Sequence, residues 1–264
     1  MEQRVGVEHS RIALIVQYIG TAYNGWQIQN GGRTLQGEIE RALGVLFRRR
    51  IRIFASGRTD AGVHAMGQVA HFDVPEKPDL RRLCNGLNGI LGKDVSIINA
   101  FSVNPDFHAR FDARRRIYRY CIHNDRARSP FAECRAMWVR EPLDVAYLEE
   151  VARCCVGERD FASFCKKSEA TKRCSVRRIE RIDVRREGTQ VIFEIAGNAF
   201  LHHMVRILIG TMISMHRSQS EPSSINRIIE ERDRTAAGAT APAYGLYLVK
   251  VEYDPPLESY ESAF

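Results

Sequence analysis

Residues 52–74 read RIFASGRTDAGVHAMGQVAHFDV, two strand-like runs at 52–56 and 66–74 on either side of a polar loop. Both runs carry alternating apolar or β-branched residues, and the glycines of the loop mark where the chain turns between them. Working outward, residues 34–47 have the spacing of an amphipathic helix with Thr34 as its cap, and residues 11–19 read as a strand. Downstream, Pro78 and Asp79 start a helix that runs to about Leu91, and residues 95–103 form another strand. The first half is therefore ordered βαββαβ.

The second half repeats this order with different residues. A strand at 114–123, a helix at 143–156 and a hairpin of 174–186 with 190–196 around Glu187, Gly188 and Thr189 come first. A long helix at 200–217, a shorter one at 222–232 and a last strand at 246–253 complete it. Asn104 and Pro105 give only a turn signal between the halves, so the expected domains are residues 1–105 and 106–264. The expected fold class is α/β of the α+β type: two ferredoxin-like βαββαβ units sharing a mainly antiparallel sheet, with a cleft between the lobes. Beyond Asp254, the prolines Pro255 and Pro256 and a mostly polar run predict a loosely ordered tail.

Composition narrows the function classes. With 44% hydrophobic and 27% charged residues the chain is ordinary globular material, and no apolar run is long enough to span a bilayer. The start of the chain has no cleavage-like segment, so a cytoplasmic location is expected. Seven cysteines form an odd set with no C-x-x-C pair, which argues against a zinc site and a disulfide framework alike. The net charge of +7 comes with 33 arginines against 6 lysines, clustered at 48–50, at 114–116 and across Lys166, Lys167, Lys172, Arg173, Arg177 and Arg178. Such clusters suit forked contacts to a polyanion such as RNA.

Within the 57–64 loop, Asp60 has glycines on both sides and Arg58 two positions before it. Two readings fit these residues: an Asx-type turn that satisfies its own backbone, or a carboxylate held ionised by the arginine and approachable by a ligand. In the apolar helix of 200–217, His202, Arg206 and Gly210 fall at i, i+4 and i+8 and make a narrow polar or small stripe. A cation there either snorkels to solvent or pairs with a carboxylate. On the strand of 114–123, Arg116, Tyr118, Tyr120 and Ile122 share one face, the default place for a core tyrosine.

Five stretches then agree in order and spacing with one family. GRTDAGVHA at 57–65 resembles the signature of the TruA family of tRNA pseudouridine synthases. So do Thr34, Leu35, Gln36 and Glu38; FHARFDA at 107–113 with Tyr118, Arg119 and Tyr120; FLHHMVR at 200–206; and APAYGLYLV at 241–249. The resemblance covers about residues 11–254 and implies the pseudouridine synthase fold. It also implies isomerisation of uridines 38 to 40 in the anticodon arm of tRNA, catalysed by Asp60. It implies further that Arg58 helps extrude the target base, that Tyr118 stacks on it, and that Arg206 pairs with Asp60. His64, Arg110 and Leu246 complete the implied substrate contacts, and a homodimer is implied.

The reaction breaks the bond from the sugar to N1, turns the base and rejoins it through C5. It involves no net redox change and no phosphoryl transfer, so neither a cofactor nor a metal is expected. A carboxylate can serve it as nucleophile or base. The competing reading, a non-catalytic RNA-binding protein of two ferredoxin-like units, would call for an RNP1-type pattern, which the sequence lacks.

Overall fold

The computed structural model describes residues 9–165 and 174–264. Lys166, Lys167, Lys172 and Arg173 of the third basic cluster lie outside the described residues. The chain divides into two compact units, Met1–Arg114 with Lys250–Phe264, and Arg115–Val249. These bounds differ from the division expected at 105/106, because residues 106–114 and the C-terminal segment both pack with the first unit.

In the first unit the elements are β1 (Ser10–Tyr18), α1 (Leu35–Phe47), β2 (Phe54–Ala55), β3 (His64–Val74), α2 (Leu80–Ile90) and β4 (Val95–Val103). β1 is central and pairs antiparallel with β3 on one side and β4 on the other. Its Ile12, Ala13, Leu14 and Val16 are fully buried. α1 starts where expected: the Thr34 hydroxyl accepts the Gly37 N–H at 3.3 Å, a cap worth about 1 kcal/mol. Leu35, Ile39, Ala42 and Leu43 make its buried stripe. α2 is capped by Asp79, which accepts the Arg82 N–H at 2.9 Å, and buries Leu80, Leu83, Cys84 and Leu87.

Two expectations for this unit change. The strand at 52–56 shrinks to the two residues of β2, paired as Phe54↔His71 and Ala55↔Ala70. Just before it the backbone of Ile53 bonds side chains of α1 instead of a ladder: its N–H donates to Glu40 Oε1 at 3.1 Å and its carbonyl accepts from Gln36 Nε2. The tail beyond Asp254 is a built part of the sheet. Leu257 is buried, and β11 (Glu261–Ser262) pairs antiparallel with β4, with the Ala263 N–H donating to Ala100 O at 2.9 Å. The apolar Leu257 anchors a segment whose polar composition reads as disorder.

The second unit contains β5 (Arg115–Asn124), β6 (Met137–Val139), α3 (Val145–Cys154), β7 (Gly157–Asp160), β8 (Val176–Glu187), β9 (Gln190–Gly197), α4 (Met204–Arg217) and α5 (Ser224–Glu231). β10 (Leu246–Glu252) carries the chain from the second unit back to the first. The strands pair in the order β5, β9, β8, β7, all antiparallel, with β6 parallel to β5. The hairpin turn falls at Gly188, whose φ of 58° is the left-handed region glycine tolerates.

Tyr120, Ile122, Val191, Phe193 and Ile195 line the buried face, and Tyr118 opposes Ile195 on it. On the other face Arg119 and Arg181 both reach Glu194, at 3.1 and 3.2 Å, and Arg181 also reaches Asp183 at 2.7 Å. Part of the arginine excess is thus spent on cross-strand pairing. α4 begins four residues later than expected, because His203 sits at φ 66° in a turn closed by the Met204 N–H donating to Leu201 O at 3.0 Å. His202 therefore lies outside the helix and off the expected stripe. No helix among the described residues is long and apolar enough to cross a membrane.

Candidate active site

The 57–64 loop joins β2 to β3 and is fastened from both flanks. From β3, Gln68 accepts the Ser56 hydroxyl at 2.6 Å and donates through Nε2 to the Gly57 carbonyl at 2.9 Å. From the segment after β1, the Trp26 N–H donates to Thr59 O at 3.0 Å, and the Gly62 N–H donates to Tyr23 O at 3.4 Å. The Tyr18 and Thr59 hydroxyls share a buried bond of 2.8 Å. The Val63 N–H bonds the Asp60 backbone carbonyl, so the main chain closes the turn.

Two glycines make this docking possible. Gly25 has φ +86°, and a Cβ there would lie 2.6 Å from Thr59 O; a Cβ on Gly20 would lie 1.9 Å from Val63 O. Neither glycine stands in the signature, and no spacing rule points to a contact some forty residues away.

Within the loop Arg58 is exposed, Thr59 buried and Asp60 half-buried. His64 is buried, and its Nδ1 accepts the Gly20 N–H at 3.0 Å, which makes Nε2 the protonated nitrogen and His64 a support of the loop.

Arg110 stands on a separate turn of the same unit, residues 107–113. Phe107 and Ala109 are its buried pegs, and Ala109 is held twice, by the Tyr253 hydroxyl donating to its carbonyl at 2.7 Å and by its N–H donating to His71 Nδ1 at 3.2 Å. Burial, with help from the neighbouring His108, pushes the His71 pKa down to about 4, so the ring is neutral and its lone pair available at physiological pH. His108 Nδ1 accepts the N–H groups of Arg110 and Phe111, and Asp112 accepts that of His108. Arg110 is thereby presented, exposed, at the tip.

The remaining expected residues belong to the second unit. The half-buried Tyr118 ring meets Phe200 edge-on at 5.1 Å. Arg206, half-buried on α4, donates through Nε to Ala241 O at 2.8 Å, and the Ala241 N–H returns a bond to Arg206 O at 3.1 Å. That reciprocal pair pins residues 236–245 to α4, so the Ala- and Gly-rich stretch is a packed wall and no flexible connection. Gly210 lets it approach, since a Cβ there would stand 1.8 Å from Ala239 O. The wall ends at Gly245, which lies against the Tyr120 ring, and at the buried Leu246. The Tyr120 hydroxyl donates to Pro242 O at 2.9 Å.

Known proteins match the sequence along most of the chain. The family model described as tRNA pseudouridine synthase matches residues 14–112 and 151–254. A tRNA pseudouridine synthase A of Methylococcus capsulatus is 44% identical over 243 residues, covering 92% of this chain and 89% of that protein. Proteins of the same name from Coxiella burnetii, 39% identical with 93% and 94% coverage, and from Anaplasma marginale, 44% identical with 92% and 100% coverage, match over similar spans. With its mixed α/β architecture of mainly antiparallel strands, the chain belongs to the tRNA pseudouridine synthase family, a family of isomerases.

Proposed function

We propose that the protein converts uridines 38 to 40 in the anticodon arm of tRNA to pseudouridine, with Asp60 as the reacting carboxylate. The observation that carries this reading is the half-buried Asp60 on a loop held by β1, the segment after it and β3, through three hydrogen bonds to its backbone and two to the Ser56 and Thr59 hydroxyls. Preorganisation of that kind is what covalent or acid–base catalysis requires. The carboxylate either attacks the anomeric carbon or removes a sugar proton. The glycosidic bond to N1 then breaks, the base turns, and C5 bonds to the anomeric carbon and releases its proton. Product and substrate are isomers, and no external reactant enters.

Arg58 helps extrude the base and holds phosphate, and Tyr118 stacks on the base. Arg206, Arg110 and Leu246 contact the nucleotide, and His64 serves through the loop it supports. The protein acts in the cytoplasm as a homodimer. In a test on unmodified tRNA with carbodiimide mapping, wild-type protein modifies the anticodon arm, and Asp60→Ala binds tRNA without forming product. Turnover by Asp60→Ala, or modification confined to another region of the tRNA, refutes the reading.

A further inference from the structure

In the first unit, outside the Asp60 loop, aromatic rings and guanidinium groups form a continuous strip. Arg52 lies over the Phe54 ring at 5.7 Å, and Phe54 stacks on His71 at 5.3 Å and 23°. His71 meets His108 at 4.7 Å, His108 meets Phe111 at 4.3 Å, and Arg110 lies over Phe111 at 5.9 Å. Phe111 is 76% exposed and Phe54 43%. Singly exposed apolar side chains are unremarkable. Here two exposed rings belong to one run of ring contacts, stacked at Phe54–His71, edge-on at His71–His108 and tilted at His108–Phe111, with a cation at each end.

The run of rings is fixed from beneath. β2 and β3 place Phe54 directly opposite His71. The His71 bond to Ala109 and the His108 bonds to the Arg110 and Phe111 N–H groups set the angle at which Phe111 projects. Burial lowers the pKa of both histidines, so the middle of the strip is uncharged and positive charge stands at its ends. An unpaired nucleobase fits this arrangement: its π-face takes a ring and its phosphates take the guanidinium groups.

We propose that Phe111 and Phe54, flanked by Arg110 and Arg52, form a platform on which an unpaired base of the bound tRNA stacks, a contact additional to the reacting uridine. The platform rests on the reading of the protein as a tRNA-modifying enzyme. Base stacking on a ring is neutral and the phosphate contacts are ionic, so ring and arginine substitutions separate them.

The experiment measures binding of an unmodified tRNA transcript to the full-length protein at two salt concentrations. Phe111→Ala and Phe54→Ala are each expected to weaken binding roughly 5- to 150-fold without altering the salt dependence, the range that stacking of one base supplies. Phe111→Tyr should restore it to within about threefold. In Phe111→Trp, the fluorescence added over the wild-type background should be quenched when tRNA binds.

Binding by both alanine variants within twofold of wild type overturns the platform, as does absence of quenching at saturating tRNA. A loss of self-association in Phe111→Ala, seen by sedimentation with tRNA affinity unchanged, assigns the strip to a protein contact and also overturns it. Product formation by the wild-type protein on the same transcript is scored separately. Product with unaffected variants refutes the platform alone, whereas ring-dependent binding without product refutes the catalytic reading alone.

Discussion

Gly25→Ala tests whether the segment after β1 sets the position of Asp60. The substitution acts twice. At φ +86° an alanine is strained by about 1–2 kcal/mol, and its Cβ would stand 2.6 Å from Thr59 O, about 0.8 Å short of ordinary contact. The neighbouring atoms are backbone, Ala61 N and Asp60 C at 3.1 Å, so no flexible side chain can yield. The loop must move, and with it goes the Trp26 N–H bond to Thr59 O, worth about 1 kcal/mol. The expected loss is about 2–4 kcal/mol of stability, read as a fall in Tm of roughly 5–15 °C.

A shift of the carboxylate by the better part of an ångström should lower kcat by about 100-fold. The assay is single-turnover pseudouridine formation well below the Tm, beside a thermal melt and tRNA binding. Gly57→Ala is the internal control. It stands in the loop itself, yet a Cβ there meets nothing within 4 Å and its φ is not positive, so its Tm should stay within about 2 °C of wild type. A Gly25→Ala protein with wild-type Tm and kcat within threefold refutes the clamp. Equal damage from both glycines would show that loop flexibility, and not the contact with Thr59, is what matters.

Three further outcomes are expected. His64→Ala leaves the buried Gly20 N–H without its acceptor and should cost about 1–3 kcal/mol in a urea titration, whereas His64→Gln, which keeps an acceptor, should cost less. Gly210→Ala, a change that usually stabilises a helix interior, should instead destabilise by more than about 2 kcal/mol and lower activity, because its Cβ would collide with Ala239 O and break the Arg206–Ala241 pair. His71 gives a pH dependence: with a folded pKa of about 4 against 6.5 unfolded, the unfolded chain binds the extra proton. Its contribution is complete above pH 6.5 and declines as the pH falls toward 4, by about 2 kcal/mol at pH 5. His71→Gln should lose that slope between denaturation curves at pH 7.5 and pH 5, and an unchanged slope refutes the assignment.

Much of the scaffold is legible in the residues themselves. Thr34 and Asp79 mark helix starts by capping, and the apolar i, i+4, i+7 and i+8 positions of α1 are buried. What is not legible has a common physical cause, competition from contacts distant in sequence. Ile53 has the composition of a strand residue, yet α1 side chains take both its backbone groups. Residues 200–203 continue an apolar helical pattern, and only the left-handed His203 shows that the helix waits until Met204. β7, with the sequence GERD, has no strand propensity and exists because β8 offers it an edge. The site divides the same way. Asp60 and Arg58 stand in a readable motif, whereas Gly20, Gly25, Tyr18 and His71 matter through what they touch.

That division bears on what Asp60 substitutions measure. The bonds that fasten the loop run through the carbonyls of Gly57 and Thr59, the N–H of Gly62, and the hydroxyls of Ser56 and Thr59. The turn is closed by the Asp60 backbone carbonyl, which every residue possesses. An alanine or asparagine at position 60 therefore inherits the same clamps, so the course of the loop backbone does not depend on the carboxylate alone. Loss of product in such a variant then reports chemistry, whereas the same loss in Gly25→Ala reports position. The two can be told apart by stability, because the glycine change breaks a clamp of the loop and should lower the Tm more. A large fall in Tm on Asp60→Ala would mean that the carboxylate itself holds the loop, and it would overturn the separation of scaffold from chemistry.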